Sequence, residues 1–107
     1  MSEIVLILTT APDDHRAEAW ARVLVEERLA ACVNVLAPMV SIYRWKGVVE
    51  RETERQIVIK TTQDQVSAVR TRLTALHPYE LPEFVVVTVA DGSAEYVKWV
   101  AEQTRPH

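Results

Sequence analysis

The residues of this chain with the most chemistry per unit length are His77-Pro78-Tyr79-Glu80-Leu81-Pro82-Glu83. They set an imidazole, a phenol and two carboxylates around prolines four positions apart. Imidazole nitrogen and carboxylate oxygen are both donors to a divalent metal, and a few fixed polar groups also suffice to orient a small molecule. Proline disfavours helical geometry in the residue before it, so His77 and Leu81 are pushed toward extended backbone, and a helix arriving from upstream must stop at about His77. The stretch is therefore a stiff corner. Such a corner holds polar groups in fixed directions for binding, or simply joins a helix to a strand. A histidine at a helix C-terminus also has an explanation without any ligand, because the helix dipole favours its protonated form.

A second constellation is Tyr43, Trp45, Lys60 and Tyr79. If hairpin strands meet at a subunit boundary, aromatic walls, one lysine and the Glu80 and Glu83 carboxylates line a cleft for a small anionic or amphipathic ligand. The alternative is a packed interface whose aromatics are structural. Cys32 is the single cysteine, so no internal disulfide is available, which agrees with a reducing compartment. Following Leu-Ala-Ala at a helix end, Cys32 reads first as a small core residue and second as a thiol ligand. Catalysis finds little support, since His15, His77 and His107 lie far apart and no nucleophile-base pair or metal-hydrolase spacing occurs. Two glycines, Gly47 and Gly92, are too few for a Gly-rich phosphate cradle.

The elements that must position these groups belong to one domain over residues 1–107. The chain is 49% hydrophobic and 25% charged, with a formal net charge of -3, a profile of one globular core. Scattered Lys and Arg give no footprint for nucleic acid. Apolar runs such as Ile4 to Leu8 are far too short for a membrane span, and Met-Ser-Glu-Ile does not open a secretory signal. The expected location is cytoplasmic.

Ile4 to Thr9 is a continuous aliphatic run of the kind buried on both faces, hence a central strand. Ala11-Pro12-Asp13-Asp14 supplies a turn and an N-cap, after which Ala17, Ala21, Leu24, Val25 and Leu29 recur at helical spacing, with Trp20 packing in the core. Cys32 to Leu36 is a second strand, interrupted at Pro38 and resumed over Val40 to Trp45, where Ser41, Tyr43 and Trp45 share one face. Lys46-Gly47 turns the chain into a return arm, Val48 to Arg51 and then Glu54 to Lys60, whose outgoing part is crowded with both signs of charge. Thr62 and Gln65 form a capping box for a helix with Val66, Val69, Leu73 and Leu76 inward. Phe84 to Val89 is another apolar strand. A last helix sets Tyr96, Trp99 and Val100 on one side, and Thr104 to His107 fray.

Strand, helix, strand hairpin, helix, strand is the β-α-β-β-α-β order of the ferredoxin-like α+β sandwich, here with an extended hairpin and a C-terminal helix. Both main helices then lie on one face of the sheet. Ile4 to Leu8 and Phe84 to Val89 are apolar at odd and even positions alike, so the other face is apolar as well and calls for a cover. A second copy of the chain is the usual one.

Three stretches, Leu29-Ala30-Ala31-Cys32-Val33-Asn34, Ser41-Ile42-Tyr43-Arg44-Trp45-Lys46-Gly47 and the His77 to Glu83 corner, resemble the CutA family of divalent cation tolerance proteins, and the likeness extends from Ile4 to about Trp99. The resemblance implies a ferredoxin-like protomer, a homotrimer built through the hairpins, a cytoplasmic role in the response to metal ions, and copper or another divalent cation as ligand. Copper-binding members are implied to use the His of His-Pro-Tyr, a His just before it and a Cys at the end of the first strand. Only the first carries over, as His77; the other two positions hold Leu76 and Thr9. Copper(II) would then draw on Glu80, Glu83 or a neighbouring chain's His, and copper(I) on Cys32 and Met39. An architectural likeness to trimeric PII-type signalling proteins implies the alternatives of a small-molecule sensor or a scaffold for partner proteins.

Overall fold

The computed structural model describes residues 3–105. They run β1 (Ile4–Pro12), α1 (His15–Glu26), β2 (Cys32–Val35), β3 (Met39–Trp45), β4 (Val48–Thr62), a 3-10 turn (Gln63–Gln65), α2 (Val66–Leu76), β5 (Val85–Thr88) and α3 (Ala94–Gln103). β4 and β1 form the centre of an antiparallel sheet, paired from Ile4 opposite Thr62 to Pro12 opposite Glu54. β5 takes the other edge of β1, while β2 and then β3 follow one another along the other edge of β4. This is the ferredoxin-like order read from the sequence.

Alternation along the strands sorts the two faces. Val5, Ile7, Ile57 and Ile59 are buried against Ala17, Trp20 and Leu24 of α1 and Val66, Val69 and Leu73 of α2. Each such aliphatic side chain contributes roughly 1.5–3 kcal/mol. Residues of the other parity, Leu6 opposite Lys60 and Val87, and Leu8 opposite Val58 and Val85, look away from both helices. Val85 and Val87 are exposed there. α3 covers only the Ile4 end, through Val97 and Val100, in a separate small cluster with Ala31 and Val89.

β1 ends opposite Glu54, but β4 begins at Val48. The hairpin of β3 and β4 therefore projects past the sheet, with Val48, Val49 and Ile42 exposed and Ile42 70% accessible. Its two-residue turn places both Lys46 (φ 50°) and Gly47 (φ 81°) in the left-handed region, which matches the twist of the flanking strands. β4 is one continuous strand of 15 residues; the break expected between Arg51 and Glu54 is carried across by pairing with β3.

The helix ends differ from expectation in instructive ways. Asp14 caps α1 as read, accepting from the Arg16 N–H at 2.9 Å, and the Arg16 guanidinium on the same carboxylate lowers its pKa to about 2. The capping box at Thr62 does not form: the Thr62 side chain makes no cap bond, and Gln65 instead donates to the Thr104 carbonyl at 2.9 Å. Thr104 does not fray, because it is buried and its hydroxyl donates to the Val100 carbonyl at 3.0 Å; Pro106 and His107 lie outside the described residues. Of the expected α3 face only Val100 is buried, while Tyr96 and Trp99 stay exposed with their rings 5.6 Å apart.

Candidate functional site: an acidic aromatic cleft

α2 stops at Leu76, and His77 takes extended geometry (φ -78°, ψ 131°) as the proline after it requires. Its ring tilts against Trp20 at 4.8 Å and Tyr79 at 4.4 Å between centroids. The Tyr79 backbone N–H donates to Nδ1 at 3.2 Å, so Nδ1 carries no proton, and Nε2–H donates to the Thr10 carbonyl at 2.8 Å. Both ring nitrogens are thereby used. Burial lowers the His77 pKa, outweighing the hydrogen bond to Thr10 and the Glu54 charge, which raise it. The helix dipole does not make this a charged histidine; burial decides the sign.

His77 thus works as a brace, tying the corner to the end of β1. The corner then crosses toward the hairpin, and between them lies a cleft of about 780 Å³. Met39, Ser41, Tyr43 and Trp45 of β3 line one wall, Glu50, Glu52 and Glu54 of β4 the floor, and Tyr79 to Glu83 the opposite side. The strand period puts these β3 and β4 residues on a common face, opposite one another in the register: Tyr43 against Glu50, Ser41 against Glu52, Met39 against Glu54.

The cleft is acidic. Among the described residues it is lined by five glutamates and no lysine or arginine. Tyr43 Oη donates to Glu52 at 3.0 Å, and Gln56 Nε2 donates to Glu83 at 2.9 Å and to the Thr9 carbonyl at 2.6 Å. Lys46 Nζ stands 3.8 Å from Glu80 and 5.7 Å above the Trp45 ring, at the rim. Glu54 is 8% accessible, and no donor among the described residues bonds its carboxylate. Burial and then the charges of Glu54 and Glu52 push the Tyr79 phenol up to about 12, so it stays protonated and a donor. Tyr43 is likewise raised, chiefly by its hydrogen bond to Glu52.

Of the expected cleft residues, Tyr43, Trp45 and Tyr79 converge with Glu80 and Glu83, but Lys60 does not join them. It sits six residues along β4 from Glu54, roughly 20 Å away at strand rise, opposite Leu6 and Cys32. Without it the cleft suits a cation rather than an anion. The metal candidates do not assemble either. Cys32 is half-buried beside Lys60, whereas Met39 lies opposite Glu54, six residues away along the same strand, so the pair cannot share a copper(I) ion. Among the described residues no three His, Cys, Asp or Glu side chains are grouped to hold a metal. Thr9 is buried with its hydroxyl unpartnered, and as a neutral alcohol it does not replace a thiolate. Glu50, Glu52 and Glu54 were not singled out from the sequence, where the outgoing arm of the hairpin showed only a crowd of both signs of charge. Their shared parity, the same as that of Tyr43 and Trp45 across the turn, is the signal that finds them.

Fold and site define a ferredoxin-like α+β protomer with a projecting hairpin that walls a carboxylate-rich, aromatic cleft. Residues 5–103 match the family model of the CutA1 divalent ion tolerance protein. The chain is 45% identical over 104 residues to the divalent-cation tolerance protein CutA of Thermus thermophilus, covering 97% of this chain and 99% of that one. The crystal structure of CutA from Xylella fastidiosa superposes with a TM-score of 0.93 at 49% identity, over 97% of this chain and all of the other. The CutA of Archaeoglobus fulgidus, described as a periplasmic divalent cation tolerance protein, superposes at 0.92 with 33% identity over 95% and 99% of the two chains. The chain belongs to the CutA family of divalent-cation tolerance proteins.

Proposed function

We propose that this protein is a cytoplasmic homotrimer that acts in the response to metal ions by binding a ligand in the cleft beside the hairpin, as a sensor or regulator rather than an enzyme. The observation that carries this reading is the cleft itself: a cavity with aromatic walls and a carboxylate, Glu54, that has no partner among the described residues, the usual form of a small-molecule site. Support for the trimer comes from the exposed apolar residues of the helix-free face and the hairpin, which a closed ring of copies would cover. The lone cysteine is compatible with the cytoplasm.

Direct copper coordination at His77 is the weaker alternative, because the ring spends both nitrogens on the backbone and Glu80, Glu83 and Cys32 do not gather around it. Titration calorimetry with copper(II) on the wild type and His77→Ala separates the two. Equal affinities are expected; a loss of tight binding confined to the variant would restore His77 as a ligand and displace the cleft as the site.

A further inference from the structure

Burying a carboxylate without a partner is costly, and a chain normally pairs it, neutralises it or leaves it in water. Glu54 is 8% accessible and lines the cleft, and with no hydrogen bond or ion pair to its carboxylate among the described residues, its charge faces whatever fills the cleft. Its neighbours on the same face, Glu52 and Glu50, follow at two-residue intervals, hence about 7 Å apart along the strand. Ammonium groups joined by a few methylenes have a similar spacing. The rim already shows the chemistry in miniature, since the Lys46 ammonium lies between the Trp45 ring and the Glu80 carboxylate. That pairing is exposed and loose, so an incoming cation can displace it.

We propose that the cleft takes a linear organic polycation, a di- or polyamine, with Glu54 as the buried counter-charge, Glu52 and Glu50 meeting successive ammonium groups, and Tyr43, Trp45 and Tyr79 covering the methylenes between them. A ladder of separated carboxylates distinguishes such a ligand from a metal ion, which needs its donors around one point, and nothing among the described residues forms such a group. Aromatic faces add attraction for ammonium that they do not offer an anion. The inference rests on the cleft being a ligand site and names the class of ligand it takes.

The test is titration calorimetry of the full-length protein with spermidine, with ATP as an anionic comparison, at low and high salt. Wild-type protein should bind spermidine, more weakly as salt rises. Glu54→Gln should weaken it by about tenfold or more, the usual effect of losing one charge-assisted hydrogen bond, while its thermal midpoint stays level. Trp45→Ala should weaken binding more modestly. Spermidine binding that is indifferent to Glu54→Gln, in a variant that melts normally, would overturn the assignment. If ATP binds in a manner sensitive to Tyr79→Ala and spermidine does not bind, the cleft is a ligand site but the cationic class is wrong. If neither binds, both the class and the cleft reading fall.

Discussion

His77 carries most of the corner's chemistry, and its surroundings decide which chemistry that is. A ring that accepts from the Tyr79 N–H and donates to the Thr10 carbonyl cannot gain a proton without losing one of those bonds. Its folded pKa lies below the ordinary 6.5 because of burial. Between the two values the unfolded chain binds more protons than the folded one, so stability rises with pH there. The contribution is complete above about 6.5 and is lost as pH falls through the lower, folded value. Thermal midpoints measured between about pH 7 and 5 should therefore decline for the wild type, whereas His77→Asn, which does not titrate, should be less stable but flatter across that window. Parallel slopes for the two proteins would contradict the role. The identity of the corner was legible because proline acts on its own neighbours. The occupation of both imidazole nitrogens was not, because one partner is a carbonyl 67 positions away in sequence.

At the level of elements, the strands were legible wherever a hydrophobic period repeats and obscure wherever pairing overrides composition. The charged middle of β4 looked like an interruption, yet β3 opposite Arg51 to Glu54 holds it extended. Likewise the Thr62 and Gln65 pattern looked like a cap, but Gln65 finds the carbonyl of Thr104, just past the end of α3, which no local rule anticipates. Trp20 followed its helical spacing into the core, where it packs within the main cluster and against His77. It joins α1 to the corner that walls the cleft. Trp20→Ala should cost about 3–5 kcal/mol in chemical denaturation, the range for removing a large buried ring. It should also disturb ligand binding at the cleft, although no atom of Trp20 lines it. A cost under 1 kcal/mol would mean that this contact is not a support of the corner.

For the whole molecule, the strongest inference from the sequence was that two strands apolar on both faces need two covers. α1 and α2 supply one; α3 supplies part of the other. The remainder, with Val85, Val87 and the hairpin's Ile42 and Val49 exposed, is the surface we assign to neighbouring copies. Light scattering at micromolar concentration should give three times the chain mass for the wild type and a lower mass for Ile42→Glu; a wild type at one chain mass would remove the trimer. The sign of the cleft was hidden from the sequence for a reason of scale. Lys60 and Glu54 both lie on β4, so composition cannot tell which of them faces the aromatics until the register of two strands is known.

The hairpin that outruns β1 has a further consequence. Past Glu54, β4 offers amide and carbonyl groups along an edge that no strand among the described residues occupies, the arrangement on which unlimited cross-chain stacking begins. Glutamates at every second position of that arm oppose in-register stacking, because identical carboxylates would fall directly above one another. Like charge along the acidic arm therefore disfavours in-register stacking of copies on that edge.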